Sequence, residues 1–126
     1  MIKKLIFIFI FTFWHNFISA NTEYFEQGLN LFKNKKFNEA KFKFEQDIVF
    51  NPKNEKSYLY LSKIFKNLEK RDLQEQNLAT VILLNPKNEE AIYSLAKLKL
   101  ITSDYKRSKE LNDQLIVVCN KFCSQS

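Results

Sequence analysis

This 126-residue chain has very few of the residues that punctuate a backbone: one glycine and two prolines. β-Hairpins with primed turns need residues at positive φ, and phosphate or dinucleotide loops need glycine for close backbone approach. Both are therefore argued against. Histidine and tryptophan occur once each and cysteine twice. What is abundant is ordinary: 45% hydrophobic and 27% charged residues, a balance that is neither disordered nor collagen-like and suits one domain. Lys and Arg number 20 against 14 acidic residues, a formal net charge of +6. The expectation is a small, basic, mostly helical protein.

The first residues read as an address. Lys3 and Lys4 precede an apolar run from Leu5 to Trp14 broken only by Thr12, and Ile18-Ser19-Ala20 puts small residues before Asn21. That order is the layout of a secretory signal peptide over residues 1–20. The rival is an uncleaved membrane anchor, but Leu5 to Ile18 as a helix reaches only about 21 Å against a hydrocarbon core of roughly 30 Å. An exported protein, periplasmic or secreted, is expected. His15 and Trp14 leave with the leader, as do Lys3 and Lys4, so residues 21–126 carry 18 basic and 14 acidic side chains. Without histidine, Ser-His or Cys-His chemistry and the usual zinc sites are excluded. No catalytic, cofactor-binding or metal-binding residue is expected, and no enzyme.

The remainder repeats. Asn51-Pro52-Lys53-Asn54-Glu55 recurs as Asn85-Pro86-Lys87-Asn88-Glu89, 34 residues on, each after an apolar run, Ile48-Val49-Phe50 and Val81-Ile82-Leu83-Leu84. The same offset relates Tyr24, Tyr58 and Ile92, then Gly28, Ser62 and Ala96, then Phe44 and Leu78. A fixed period of this size is the signature of stacked helical hairpins. On these residues the chain resembles the tetratricopeptide repeat (TPR) family. Tyr24, Gly28, Ala40, Phe44 and Pro52 match its pattern in the first unit, and Tyr58, Leu61, Ser62, Phe65, Leu78 and Pro86 in the second. The third unit keeps Leu95, Ala96 and Tyr105 but has Lys99, Asn112 and Asn120 where Tyr, Phe and Pro would stand. The resemblance implies an all-α, right-handed solenoid of about three repeats over 21–126, roughly 21–54, 55–88 and 89–122.

Each unit should be two antiparallel helices: Thr22–Asn34 with Asn38–Asn51, Glu55–Asn67 with Asp72–Asn85, and Glu89–Thr102 with Asp104–Lys121. Asn54, Asn88 and Ser103 suit N-caps, acidic residues follow in the first turns, and Pro52 and Pro86 stop the preceding helices. Gly28, Ala40, Ser62 and Ala96, with Ser108, are the small residues that let paired helices approach closely. A mid-helix glycine costs about 1 kcal/mol relative to alanine, so Gly28 needs such a reason.

A repeat stack is an inert shaped surface. By the resemblance, first helices line a groove that binds peptides or partner helices. The matching places are Phe25, Leu29 and Lys33, then Lys56, Tyr60 and Lys63, then Tyr93, Lys97 and Leu100. This is an aromatic and aliphatic floor among lysines, suited to a segment with apolar anchors and some acid. The plain alternative is that some of these, Phe25 and Leu29 above all, are core. The family's clamp for chaperone C-termini is not expected. Phe25, Leu29, Tyr60, Glu90 and Ser94 stand at its places, and Glu90 would repel a carboxylate.

Three further features invite a reading. Lys33, Lys35 and Lys36, then Lys66, Lys70 and Arg71, then Lys106 and Arg107, fall at successive intra-repeat turns and would form a basic edge. That edge is either solubilising charge or a contact for an anionic membrane surface or acidic partner. Nucleic acid is not expected for an exported chain. Cys119 and Cys123 lack the C-x-x-C redox spacing, and could pair with each other if the helix end frays, or between chains. Leu111, Leu115, Ile116 and Val118 on the last helix have no obvious cover, which points to self-association or partner docking there. The leading expectation is a periplasmic or secreted TPR adaptor or scaffold. The alternative is a peripheral envelope protein using its basic edge.

Overall fold

The computed structural model describes residues 20–119, with side chains from Glu23 onward. Residues 1–19, which carry nearly all of the expected leader, and Cys123 lie outside the described residues. Among the described residues there are six helices and no strand. They are α1 (Ala20–Lys33), α2 (Phe37–Phe50), α3 (Glu55–Asn67), α4 (Arg71–Leu84), α5 (Glu89–Ile101) and α6 (Tyr105–Val118). The expected boundaries hold for all of α3 and to within two residues elsewhere, except that α6 ends at Val118. No helix among the described residues is long and apolar enough to cross a membrane. The chain divides into two compact units after Asn51.

The three intra-hairpin turns are one device used three times. Lys35, Glu69 and Ser103 adopt φ of 59°, 56° and 62°, the left-handed region that glycine normally occupies. In the first turn the Lys36 N–H donates to Leu31 O at 2.9 Å and the Lys35 N–H to Phe32 O at 3.0 Å. Lys70 and Glu69 repeat this pair with Phe65 and Lys66, and Asp104 and Ser103 with Lys99 and Leu100. These bonds satisfy carbonyls that a helix C-terminus leaves orphaned. Ser103 is thus not the N-cap expected of it. Asp104 caps α6, its carboxylate accepting the Arg107 N–H at 3.2 Å. Asn54 and Asn88 do cap α3 and α5, accepting the N–H groups of Lys56 and Ala91. Pro52 and Pro86 are exposed and each follows the residue capping α2 or α4, so they act by ending helices rather than by packing.

The first unit packs α1 on α2 through aromatic rings. Gly28 is buried, and a β-carbon there would lie 2.8 Å from Phe44 Cε1. The Phe44 ring therefore occupies the space glycine vacates. Ala40 and Phe44 are fully buried, with Phe25 tilted on Phe44 at 5.7 Å between centroids. Tyr24 stacks on Phe50 at 5.6 Å, Phe32 meets Phe37 edge-on, and the Lys43 ammonium sits 5.4 Å from the Tyr24 ring. Such pairs add stability beyond area burial, on the order of 1 kcal/mol each.

The second unit has an aliphatic core instead. Leu59 of α3, Leu78 and Val81 of α4, Ala91, Ile92, Leu95 and Leu98 of α5, and Leu111 and Leu115 of α6 form one cluster. The expectation that Leu111 and Leu115 lack cover is corrected: both are buried in this core, and Val118 packs against it. Ile116 and Val117 stay exposed, at 59% and 84%. Helix α6 has turned its apolar stripe inward. Cys119, just beyond α6, is disulfide-bonded.

Candidate functional site

Within the second unit, α3 and α5 present Tyr60, Lys63, Glu90, Tyr93 and Lys97 from neighbouring turns. Tyr60 and Tyr93 are half-buried, while Lys56 and Lys97 are exposed. Lys63 differs from the groove cation expected of it. Its ammonium lies 4.8 Å from the Tyr60 ring centroid and pairs with Glu90 at 2.7 Å. The pair consumes both charges locally, so the net positive charge left for a ligand is carried by Lys56 and Lys97. A half-covered tyrosine offers a rigid apolar ring with a polar tip, a combination suited to anchoring a partner.

Two hollows flank Tyr93 and Lys97, both lined partly by these two side chains. One, about 290 Å³, lies where α5 seats on the α3–α4 hairpin, with Lys66, Arg71, Gln74, Leu98 and Ile101 around it. The other, about 500 Å³, opens on the far side of α5, toward α6, with Ala96, Leu100, Tyr105, Ser108, Lys109 and Asn112. On the same helix, Lys99 is held by Glu75 at 2.6 Å and by Asp104 at 3.6 Å. The hydrogen bond to Glu75 is the main cause holding the Lys99 ammonium above its ordinary pKa, with burial opposing it. Lys99 is thus a latch between α4 and α5 rather than a ligand contact.

The other expected residues divide by unit. Phe25 and Leu29 are half-buried on α1 and Lys33 is exposed at its end, and the tilt of Phe25 on Phe44 makes it part of the core at least as much as a surface. Gly28, Ala40, Ser62 and Ala96 are all buried, as close packing of paired helices requires. Ser62 Oγ donates to Leu59 O at 2.7 Å, and Ser108 Oγ crosses the third hairpin to Ala96 O at 2.9 Å. Lys66, Lys70, Arg71, Lys106 and Arg107 of the expected basic edge are exposed, Arg107 being paired with Glu110. Beside them stand the exposed apolar side chains of Leu73, Leu100, Ile101 and Tyr105. Sequence reasoning missed Glu75 and Lys109, and reached Tyr105 and Asn112 only as repeat-pattern positions. The signal that could have found them is the period itself, since Lys109 stands at the register of Glu75.

No family model matches the sequence, and neither does any curated protein. Solved structures do. The Arabidopsis OM64 TPR domain aligns with TM-score 0.75 at 22% identity over 86% of this chain and 92% of that one. The Yersinia enterocolitica type III secretion chaperone SycD, in complex with a peptide of the translocator YopD, aligns with TM-score 0.75 at 16% identity over 86% of each chain. The first TPR of Spaghetti (RPAP3), bound to the HSP90 peptide SRMEEVD, gives TM-score 0.74 at 16% identity over 83% and 85%. Against the CopN–Scc3 complex, at TM-score 0.74, the chain spans 62% of the matched chain's length. At these identities the likeness is one of fold: the chain has the all-helical, TPR-like fold expected of it.

Proposed function

We propose that this protein is a non-enzymatic interaction module, an exported TPR adaptor or scaffold that holds a peptide or helical segment of a partner protein against α3 and α5. The observation that carries the reading is the pair of half-buried tyrosines, Tyr60 and Tyr93, beside the exposed cations Lys56 and Lys97. Similarity to TPR structures that hold an HSP90 peptide and a YopD peptide supports it. The preferred segment has apolar anchors for the tyrosines and an acidic residue for Lys97. A carboxylate-rich tail such as SRMEEVD is disfavoured, because Glu90 neutralises Lys63 and no cationic fork remains. The tripartite leader and the disulfide at Cys119 support export, since such bonds persist in oxidising compartments.

Cross-linking in the native cell envelope, read by mass spectrometry, should capture a partner that Tyr60→Ala with Tyr93→Ala releases. With hot-spot tyrosines contributing more than about 1 kcal/mol each, the double variant should weaken binding roughly thirtyfold or more. A second reading has one observation in its favour: Leu100, Ile101 and Tyr105 are exposed beside the basic residues of the turns. In that case envelope attachment would survive the tyrosine changes and fail when Lys66, Lys70, Arg71 and Lys106 are neutralised.

A further inference from the structure

The second hairpin shows how this chain covers the slot between two paired helices. Helix α5 lies in the slot between α3 and α4. It sets Glu90 against Lys63 of α3 and Lys99 against Glu75 of α4, with Ala91, Leu95 and Leu98 facing the core between them. The third hairpin carries the same slot one period later. Lys97 stands at the register of Lys63, Ala96 at that of Ser62, and Lys109 at that of Glu75. Here the slot is the open hollow of about 500 Å³ between α5 and α6.

The chemistry of this slot has changed in one respect. Where Glu75 receives a lysine, the third hairpin offers Lys109, and Asn112 replaces the buried Leu78. Lys97 and Lys109 therefore both call for acid, while Ala96, Leu100 and Tyr105 supply apolar lining. The α5 template converts this into a sequence pattern: an acidic residue, then apolar residues one, five and eight places on, then a second acidic residue nine places on, where α5 itself has Lys99. A second copy of this chain is a poor occupant through its first helix. At the registers of Ala91, Leu95 and Leu98, α1 has Glu23, Gln27 and Asn30.

We infer that the slot between α5 and α6 is a docking site for an acidic amphipathic helix of a partner protein, seated as α5 is seated on the second hairpin. This site is separate from the α3–α5 face proposed above and shares only Tyr93 and Lys97 with its rim.

The test uses the full chain and two synthetic peptides of residues 87–103, each stapled through positions 93 and 97 because isolated helices of this length are marginal. One keeps Lys99 and the other carries Lys99→Glu. By fluorescence anisotropy the K99E peptide should bind about tenfold more tightly than the native-sequence peptide, since one repulsive contact becomes attractive. Lys109→Glu, on an exposed side chain, should invert that preference, and Tyr60→Ala should leave both affinities unchanged. Equal affinities, an unchanged preference in K109E, or no saturable binding of either peptide would overturn the inference. So would binding abolished by Tyr60→Ala, which would place the peptide on the α3–α5 face. Sedimentation showing the chain already self-associated, with the peptides dissociating it, would assign the slot to a second copy instead.

Discussion

The first and third hairpins share a register and solve it oppositely. In the first, α2 buries Ala40, Phe44 and Asp47, and the Phe44 ring fills the notch above Gly28. In the third, α6 buries Leu111 and Leu115, which leaves Ser108 and Asn112 half-covered beside an open hollow. Leu111 stands at the register of Lys43, one residue before that of Phe44. The two buried sets agree at the register that Asp47 and Leu115 share and differ one turn back, where Leu111 falls one residue out of phase with Phe44. The hollow of the third hairpin thus goes with Ser108 and Asn112 standing where the first hairpin has Ala40 and Phe44.

The most disruptive way to break this comparison is Gly28→Leu. Its first side-chain carbon already falls at 2.8 Å from a fully buried ring, so the α1–α2 pair cannot close over it. Circular dichroism should show loss of the folded first unit, and wild-type thermal stability would refute the packing. Next in size is a paired truncation at one register. Phe44→Ala should cost about 3–5 kcal/mol in chemical denaturation, whereas Asn112→Ala, on the half-covered wall of the hollow, should stay within about 0.5 kcal/mol of wild type. Equal costs would erase the distinction between the two hairpins. The smallest effect sharpens what the hairpins share. Glu69→Gly, at φ 56°, should raise stability by roughly 0.5–1 kcal/mol, and a loss on that substitution would show the turn gains from its side chain.

Much of this was legible from residues alone, because the signals are local. Asn54 and Asn88 cap helices through their own side chains, and Pro52 and Pro86 end helices wherever they stand. The small residues Gly28, Ala40, Ser62 and Ala96 were readable as close contacts, since a period of this length puts small opposite large. The left-handed turns were not readable. Lys35, Glu69 and Ser103 have no glycine to announce them, and only the paired hydrogen bonds behind them hold the strained φ. Ser103 differs from its expected role for that reason: its side chain suits a cap, but Asp104 supplies the cap one residue later.

The binding face shows the same division. The tyrosines and lysines of α3 and α5 follow from register, but the fate of their charges does not. Lys63 and Glu90 lie on different helices, as do Lys99 and Glu75, and each pair meets only because α5 crosses from α3 to α4. Helical periodicity, capping and repeat length are properties of neighbouring residues, so the amino-acid order determined the six helices and their hairpin pairing. Which charges cancel, which leucines of α6 are covered and which slot stays open depend on contacts between residues distant along the chain. Those were decided by the packing of one helix on another.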